Sequence, residues 1–468
     1  MYFKCEYYNK FERSHLIKDL KICFYKQTSY YFKLKKFNIC GRVFRKRVMG
    51  KASFLFLKDV SDGIQVYVSS NYIIDYHKFI SDLNIGDIIG VRGFLFVTKT
   101  NELSLKAVKI YILSTNLKTF PDKMVGLVNK EICYRYRYLD LMVNIKSKAK
   151  FLLRHKIISL IRLFFLNDNF IEVETPIMQK IAGGADAEPF KTYHNYLDSH
   201  LYFRISPELY LKKLLVGGFE KVFEIGKNFR NEGVSIKHHP EFTMIEFYCA
   251  YSNYSKLILL TEKFFSYIMS NLFNTLILKY NNHILDFSKK FIKINFIDAI
   301  VFYCKDLTLR DVYDKHQMIK FLLSNNISVD EKYDLYDLQC KIFDRFVESN
   351  LIQPTFIMHH PIAISPLSKE SDILIDCAER FELYICGKEI ANGFSELNDP
   401  LEQKKRFIKQ LNGKDLDKYY DSDYINALEY GLPPSAGEGI GIDRLIMLFT
   451  NSQSIKDVIL FPLMKFKD

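Results

Sequence analysis

The first quarter of the chain alternates apolar and polar positions with the two-residue period of β-strands. Turn-forming segments such as Ser61-Asp62-Gly63 separate these runs. One more strand is counted before Met49, which gives about five. The other four predicted strands are Ser53 to Leu57, Ile64 to Val68, Ile88 to Val97 and Leu103 to Leu113. Residues 37–118 are therefore predicted to form an all-β domain.

Five short strands in about eighty residues, behind a basic segment, suit a small Greek-key barrel of the OB type. This barrel is a common module for binding single-stranded nucleic acid. Because a fold does not fix a function, an ordinary structural barrel is an alternative.

A helical period replaces the alternation towards the middle of the chain. Phe151 to Leu166 has helical spacing, Ile171 to Val173 is predicted as a short strand, and Pro176 ends that strand. Mixed strands and helices continue to the C-terminus, so residues 146–468 are predicted to form an α+β domain. Residues 306–350 are helical and polar by pattern, and we interpret them as an insertion.

Residues 119–145 lie between the two predicted domains and are interpreted as a linker or hinge. They contain Pro121 and the alternating run Tyr134-Arg135-Tyr136-Arg137-Tyr138. Basic side chains bind phosphates and aromatic side chains stack on bases, so we predict that this hinge contacts RNA.

Positive charge is concentrated at the start of the chain. The formal net charge is +12, and residues 1–50 contain 13 lysines and arginines against Glu6, Glu12 and Asp19. Such a segment suits a polyanionic partner, because lysine and arginine release counterions from phosphates. Residues 1–36 are predicted to form a basic arm, with a solvated arm that has no partner as the alternative.

Composition argues against several classes of protein. The nine cysteines form no CxxC pair, so neither a disulfide framework nor a zinc site is predicted. No apolar run reaches the ~18 residues that a membrane helix needs, and no targeting segment is recognisable. We predict a protein of the reducing cytoplasm with no membrane partner.

The segment from Phe229 to Phe242 carries the strongest chemical signal. Arg230 has a planar guanidinium group that can hold an oxyanion through two parallel hydrogen bonds. His238 adds a second cationic or donor group, and Phe242 offers a flat face for a purine. Each residue alone has a structural explanation, but their combination indicates an ATP site.

Three blocks with distinctive residue sequences occur in this order along the chain: Phe170 to Pro176, residues 229–248, and Gly437 to Arg444. In their order and residue sequence they resemble motifs 1, 2 and 3 of class II aminoacyl-tRNA synthetases. Further blocks are similar to the bacterial lysyl-tRNA synthetase family: Met49 to Phe54, Pro207 to Lys212, and Asn392 to Asn398. The resemblance covers residues 37–468. It implies an OB-fold barrel followed by an antiparallel sheet flanked by helices, in a homodimer formed through motif 1.

The resemblance also implies how ATP is held. Arg230 would bind both the amino acid carboxylate and the α-phosphate, while His238 and Arg444 would hold the outer phosphates. Adenine would lie against Phe242 and near Arg444, and the catalytic residues are Arg230 and Arg444. The ATP-binding residues implied in full are Arg230, Glu232, His238, Phe242 and Arg444.

Glu382 and Glu389 match the magnesium ligands of the family. Two carboxylates together with ATP oxygens suit Mg²⁺, which rarely has a cage made only of protein groups. The implied chemistry needs no protein nucleophile, because the lysine carboxylate would attack the α-phosphorus and expel pyrophosphate. Catalysis would then consist of positioning and of charge neutralisation by Arg230 and magnesium.

The synthetases for aspartate and asparagine share the barrel and the three motifs. A pocket for aspartate must present cations to the side-chain carboxylate of its substrate, whereas the pocket implied here presents acidic residues. Glu208 and Glu246 would bind the α-ammonium group, and Glu396 with Tyr248 would bind the ε-ammonium group. A buried carboxylate facing an ammonium group rejects neutral analogues, because its charge would be left unpaired. The lysine-binding residues implied in full are Gly184, Glu208, Glu246, Tyr248, Asn392, Phe394 and Glu396.

Four residues of the barrel match positions that the family uses to read the anticodon: Arg47, Phe54, Gln65 and Glu102. An aromatic ring stacks on a splayed base for roughly 1 to 3 kcal/mol. The alternation from Lys51 to Leu57 allows Phe54 to point either outwards or into the barrel core, and the sequence leaves both open.

Three positions depart from the family pattern. Glu188 replaces an arginine in the loop Gly183 to Phe190, which puts any phosphate or carboxylate contact of that loop in doubt. His239 stands where the motif 2 loop commonly has asparagine, and Glu438 replaces an apolar residue in motif 3.

The resemblance implies a lysine–tRNA ligase that activates L-lysine with ATP and transfers it to the 3′ end of tRNA(Lys). One alternative is a paralogue that transfers lysine to a protein; such relatives typically lack an anticodon-binding barrel. A second is a catalytically silent nucleic-acid-binding or regulatory paralogue, which predicts lost ligands. Both are disfavoured by the predicted barrel and by the retained Arg230, Glu382, Glu389 and Arg444.

Overall fold

A computed structural model of the chain describes residues 9–26, 35–120, 127–185, 187–330, 332–411 and 420–465. The chain divides into two compact units, Met1–Asn129 and Lys130–Asp468. In the part of the chain that the structure describes, no helix combines the length and apolar character that crossing a membrane requires.

The first unit is built on a closed five-stranded barrel. The strands are β1 (Lys36–Met49), β2 (Ala52–Lys58), β3 (Gly63–Ser69), β4 (Ile88–Val97) and β5 (Leu103–Ser114), in the order β1-β2-β3-β5-β4. All neighbours are antiparallel except β3 and β5. The predicted OB-type barrel is confirmed. A short helix between β3 and β4, α2 (Tyr76–Asp82), was not predicted.

Helix α1 (Ile17–Lys26) lies within the predicted basic arm. Its Ile17 and Leu20 side chains are fully buried in the barrel core, and Lys21 pairs with Asp62 at 2.7 Å. This part of the arm is therefore an amphipathic helix packed on the barrel.

The second unit contains all the remaining described elements. Its helices are α3 (Lys130–Arg135), α4 (Arg137–Val143), α5 (Ile145–Asn167), α6 (Glu208–Val216), α7 (Tyr254–Phe273), α8 (Phe296–Tyr303), α9 (Leu309–Val312), α10 (Lys315–Ser324), α11 (Leu335–Ile342), α12 (Pro400–Leu411), α13 (Ser422–Glu429) and α14 (Ile442–Phe449). A π-helix (Phe343–Val347) and three 3₁₀ turns (Glu348–Asn350, Ile362–Ile364 and Ile455–Asp457) complete the helical elements.

The strands of the second unit are β6 (Ile171–Glu172), β7 (Met178–Gln179), β8 (Lys191–His194), β9 (Ser199–Phe203), β10 (Lys221–Phe229), β11 (Glu241–Ala250), β12 (Ile277–Tyr280), β13 (His283–Asp286), β14 (Ile292–Asn295), β15 (Thr355–Met358), β16 (Arg380–Tyr384), β17 (Glu389–Ser395) and β18 (Ser435–Gly441). The main sheet has the order β14-β15-β16-β17-β18-β11-β10-β6. It is antiparallel from β15 to β10, as predicted, but both outermost pairs are parallel.

One face of this sheet is covered by the long helices α5 and α7. Phe165 of α5 packs on Phe247 of β11 with ring centroids 4.5 Å apart, and Phe264 and Phe265 of α7 are fully buried in the same core. Stacked aromatic side chains of this size dominate the energetics of a core. The polar residues described in the next subsection lie on the opposite face of the sheet.

The predicted hinge is folded into the second unit from Lys130 onwards. Arg137 is buried, pairs with Asp140 at 2.8 Å, and donates to the Lys456, Ile459 and Leu460 carbonyl oxygens. Arg137 is therefore not available for the RNA contact predicted for the hinge, because protein acceptors already use its guanidinium donors.

The predicted insertion contains helices, and these are amphipathic rather than polar. Met318, Leu322, Leu338 and Ile342 are fully buried in a separate hydrophobic core under the β14–β15 edge of the sheet. Capping boxes at Thr308 and Asp334 begin two of its helices.

Candidate active site

A cavity of about 740 Å³ opens on the polar face of the main sheet. It collects most of the residues that the sequence assigned to ATP and lysine. Among those residues the cavity is lined by Gly184, Glu208, Arg230, Glu232, His238, Phe242, Glu246, Tyr248, Glu389, Asn392, Phe394 and Arg444. Glu382 and Glu396 do not line it directly, and the four anticodon candidates belong to the barrel unit.

Strand β11 directs its site residues to one face, because side chains alternate along a strand. Glu246 and Tyr248 project towards the cavity opposite Gly439 and Gly437 of β18. A Cβ atom at Gly437 would collide with the ring of Tyr248 and with Glu396. Glycine on β18 therefore leaves the space in which the acidic side chains converge.

Two acids form one end of the pocket. Ser206 Oγ donates to Glu246 Oε1 at 3.0 Å, and the Tyr248 hydroxyl group donates to Glu246 Oε2 at 3.2 Å. Burial, reinforced by the neighbouring charge of Glu208, raises the pKa of Glu246 to about 7. Gly184, at φ +89°, lies against Glu208, since a Cβ atom there would be 3.1 Å from the Glu208 Cβ.

Glu396 is buried behind the cavity, with 2% of its surface exposed. Burial raises the pKa of Glu396, although the charge of Lys212 opposes the shift. Lys212 pairs with Glu396 and, at 2.6 Å, with Glu208. Sequence analysis assigned no role to Lys212. The spacing of Glu208 and Lys212, four residues apart at the start of a helix, was the available signal.

Arg230 lies next to Phe242 with its guanidinium carbon 5.2 Å from the ring centroid. Its Nε atom is buried and has no hydrogen-bond partner among the residues that the structure describes. A buried donor without an acceptor is costly unless a ligand supplies one. The two side chains therefore suit an oxyanion next to a flat ring.

Arg444 is held between two predicted site residues. Its Nη1 donates to Glu389 Oε2 at 3.1 Å, and its Nη2 donates to His238 Nε2 at 3.1 Å. Since arginine has no acceptor, the His238 proton belongs on Nδ1, which faces Ser235 Oγ at 3.0 Å. Burial and the charge of Arg444 lower the pKa of His238, so it is neutral at pH 7.

Glu382 and Glu389 lie on neighbouring strands of the sheet, β16 and β17. Glu382 accepts from Arg380 Nη2 and from the Tyr384 hydroxyl group, each at 2.6 Å. Both carboxylates lie close to Asp344, whose pKa is raised to about 6 by burial and then by Glu348, Glu382 and Glu389.

A concentration of carboxylate oxygens of this kind fits a hard divalent cation. No group of three or more His, Cys, Asp or Glu side chains in the described ranges is arranged as a metal site by itself. An ion held by Glu382 and Glu389 would thus need further oxygen ligands from ATP or water.

All three departures from the family pattern have contacts in the structure. His239 is buried, approaches the Glu241 carbonyl oxygen through Nδ1, and accepts from the Leu463 N–H at 2.8 Å through Nε2. The Glu188 carbonyl oxygen accepts from the Asn231 N–H at 2.7 Å, which ties its loop to motif 2.

Glu438 points away from the cavity into the core beneath the sheet. Its carboxyl group is fully buried and is bonded only by Thr261 Oγ1, at 2.7 Å and 2.9 Å, among the described residues. Burial raises its pKa to about 8.

The stability of the protein is expected to depend on Glu438 in a defined direction. Between pH 4.5 and about pH 8 the folded state keeps a proton that the unfolded state has lost, so stability falls as pH rises through this window. Glu438→Gln should raise Tm by about 2 to 6 °C at pH 8.5 and much less at pH 5. Thermal unfolding at both values measures this, with the exposed Glu429→Gln as control; an equal gain at both pH values would contradict it.

The barrel presents a row of aromatic side chains on its outer surface. Ser53 and Leu55 are fully buried, so Phe54, between them in the alternation, faces outwards and is half-buried. Its ring lies 5.3 Å from Tyr67, which in turn lies 5.9 Å from Phe96. The sequence left the direction of Phe54 open and did not single out Tyr67 or Phe96.

The other anticodon candidates surround this row. Arg47 is exposed and pairs in register with Phe54. Gln65 Nε2 donates to Ser104 Oγ at 3.1 Å, and Glu102 is exposed at the start of β5. Stacking surfaces beside exposed polar and cationic groups are typical of faces that bind single-stranded nucleic acid.

Comparison with known proteins agrees with both parts of the chain. Residues 129–465 match the family described as tRNA synthetases class II (D, K and N), and residues 37–113 match the OB-fold nucleic acid binding domain. The lysine–tRNA ligase of Wigglesworthia glossinidia brevipalpis is 51% identical over 98% of this chain and 94% of its own. That of Buchnera aphidicola is 49% identical over 92% and 86%, and that of Legionella pneumophila strain Lens is 47% identical over 97% and 93%.

Proposed function

Since the chain belongs to the lysine–tRNA ligases among the class II tRNA synthetases, we propose that its cavity activates L-lysine with ATP and then transfers it to tRNA(Lys). The observation that carries this proposal is that Glu208 and Glu246 line the cavity together with Arg230, while Glu396, buried behind it, shares Lys212 with Glu208. Lysine has two ammonium groups and one carboxylate, which these charges complement.

Glu396 Oε1 is buried and lacks a hydrogen-bond partner in the described part of the chain. The ε-ammonium group of lysine would supply the donor that it lacks, and the Phe394 ring would line the aliphatic stem. Glu208, Glu246 and the Gly184 carbonyl group would bind the α-ammonium group. Asn392, whose side-chain oxygen accepts from Arg380 Nε at 3.1 Å, borders the same space.

The substrate carboxylate would then point to Arg230 and attack the α-phosphorus, expelling pyrophosphate. Arg230 neutralises the charge that develops on the α-phosphoryl oxygens, and Phe242 and Arg444 hold adenine between a ring and a guanidinium plane. For the second step, a ribose hydroxyl group of the tRNA 3′ end would attack the adenylate carbonyl carbon, and AMP would leave.

Glu382 and Glu389 would hold Mg²⁺, which supplies charge neutralisation at the phosphates when it is bound. In the structure Arg380 and Arg444 pair with these carboxylates. These arginines keep both side chains oriented and the local charge balanced. Glu232 lies exposed on the loop between β10 and β11, from which it would approach ATP.

Pyrophosphate exchange into ATP with purified protein and magnesium tests this function, with each amino acid tried separately and tRNA added afterwards. Exchange with lysine, followed by transfer of lysine to tRNA(Lys), is the expected result. Exchange without charging of tRNA would favour transfer to another acceptor such as a protein, and the absence of exchange with any amino acid would indicate a binding protein.

The aromatic row of the barrel would bind the anticodon, with Phe54 stacked on a splayed base and Arg47, Gln65 and Glu102 beside it.

Phe54→Ala is expected to raise the KM for tRNA(Lys) by about fivefold to a hundredfold, because base stacking contributes roughly 1 to 3 kcal/mol. Exchange measured without tRNA should not change. A variant tRNA(Lys) with an altered anticodon provides the control, since the mutation should have little effect on its poor aminoacylation; an equal loss with both tRNAs would contradict the assignment.

We also propose that the protein forms the homodimer that the resemblance implies. Motif 1 and the two residues after it expose apolar side chains: Ile171, Ile177 and Met178 are 48%, 44% and 52% exposed. A second copy packed through motif 1 would remove this apolar surface from water. As an enzyme of translation, the protein would work in the cytoplasm.

A further inference from the structure

Lys212 lies behind the acidic end of the pocket, where it contacts Glu208 and Glu396 without lining the cavity itself. It projects from helix α6, is completely buried, and donates to Glu208 Oε1 at 2.6 Å while pairing with Glu396 Oε2. Its ammonium group is also 5.2 Å from the centroid of the Phe394 ring. Lys212 therefore touches one residue from each of the two proposed ammonium sites and the wall between them.

The two oxygen atoms of Glu396 have different surroundings. Oε2 faces the Lys212 ammonium group, whereas Oε1 lies next to Gly437, where a Cβ atom would be 2.6 Å away. Lysine and glutamate in contact within a low-dielectric interior restrict each other strongly. The pair consequently fixes the carboxyl plane and turns one oxygen atom towards the space above β18.

Lys212 also sets the charge of the pocket. When Glu208, Glu246 and Glu396 are ionised, they carry three negative charges, of which Lys212 compensates one. Two negative charges are left, and the two ammonium groups of a diamino acid compensate them. An amino acid with a neutral side chain would leave one buried charge unpaired, which is strongly unfavourable.

We propose that Lys212 is a specificity-determining positioning residue, which orients Glu396 and sets the pocket charge so that only a dicationic amino acid neutralises it. This inference rests on the proposed function and extends it to a residue that the substrate need not touch. The same protein must therefore show lysine-dependent exchange before Lys212 is tested.

The expected consequence of removing this charge follows from burial. Burial alone would lower the pKa of Lys212, but Glu208 and Glu396 raise it above its ordinary value, so the group is charged in the folded protein. Without it, ionising Glu396 becomes more costly, because Lys212 is the cation that lowers the pKa of this group, and the carboxyl group takes up a proton. The other titratable groups packed around this cluster are Glu246, Tyr248 and Tyr424.

Lys212→Met keeps the length of the side chain and removes its charge. In pyrophosphate exchange at pH 7 we expect kcat/KM for lysine to fall by at least tenfold, while kcat/KM for norleucine and the KM for ATP change by less than threefold. The KM for lysine should recover partly between pH 7 and pH 9 in this variant, as the protonated carboxyl group ionises. Equal losses with lysine and norleucine, or no loss with lysine, would overturn the proposal.

Lys213→Met is the matched control, because Lys213 is the next residue, pairs with Asp423 at 2.6 Å, and does not line the cavity. It should leave both kinetic constants for lysine within threefold of the unsubstituted protein. If thermal unfolding shows that Lys212→Met does not fold, Lys212→Arg is tested instead by pyrophosphate exchange with lysine and norleucine. A retained preference for lysine over norleucine supports the role of charge, and loss of that preference with intact ATP binding refutes it.

Discussion

Replacing Arg230 with lysine is expected to reduce lysine-dependent pyrophosphate exchange by roughly a hundredfold to a thousandfold, which is the usual effect of removing one donor that stabilises developing oxyanion charge. Lysine keeps the positive charge but loses the planar pair of donors, and it has no guanidinium plane to place over Phe242, whose ring centroid is 5.2 Å from the Arg230 guanidinium carbon. The substitution should lower mainly kcat, because the α-phosphoryl oxygens gain charge only during the reaction.

Steady-state exchange kinetics with varied lysine and varied ATP measure this effect. Arg310→Lys provides the control, since Arg310 is exposed on α9 and does not line the cavity. An Arg230→Lys variant with normal kcat and only a raised KM for ATP would show that Arg230 binds the ground state and does not act on the reacting phosphorus.

Glu396→Gln is the second substitution with a large expected effect. It conserves shape but leaves the lysine ε-ammonium group and Lys212 without the charge they share, at a cost of about 2 kcal/mol or more in transition-state stabilisation. This corresponds to a loss of roughly thirtyfold in kcat/KM for lysine. The KM for ATP should be nearly unchanged, because no ATP-binding candidate contacts Glu396.

Glu429→Gln is a suitable control because Glu429 is exposed at the end of α13. Thermal unfolding separates a local effect from a loss of structure, since Lys212 depends on Glu396 in the folded protein. Unchanged activation kinetics in a folded Glu396→Gln variant would exclude Glu396 as the partner of the ε-ammonium group.

Local sequence patterns predicted those parts of the fold that depend on short-range periodicity. The five barrel strands and the helix beginning near Phe151 follow from apolar spacing, and the structure agrees with them to within a few residues, apart from longer ends on β1 and α5. Helix α2 was missed because only seven residues form it, too few to establish a helical period.

Residues whose role depends on distant contacts were the hardest to interpret. The hinge was predicted to contact RNA because basic and aromatic residues alternate in it, yet the carbonyl acceptors of Arg137 lie more than 300 residues further along the chain. Glu396 and Lys212 meet in space across 184 positions, so no local pattern reveals their pairing. The motifs identified the pocket through resemblance, whereas its charge balance became visible only in three dimensions.

The anchoring of Arg137 also bears on the order in which the protein folds during synthesis. The barrel contains all its strands by Ser114 and has every partner it needs early in translation. The buried guanidinium of Arg137, in contrast, obtains its carbonyl acceptors only after residue 460 has been translated. Domains generally fold as units while the chain emerges from the ribosome. The catalytic unit therefore cannot complete this buried network until residue 460 has been synthesised, long after the last barrel strand.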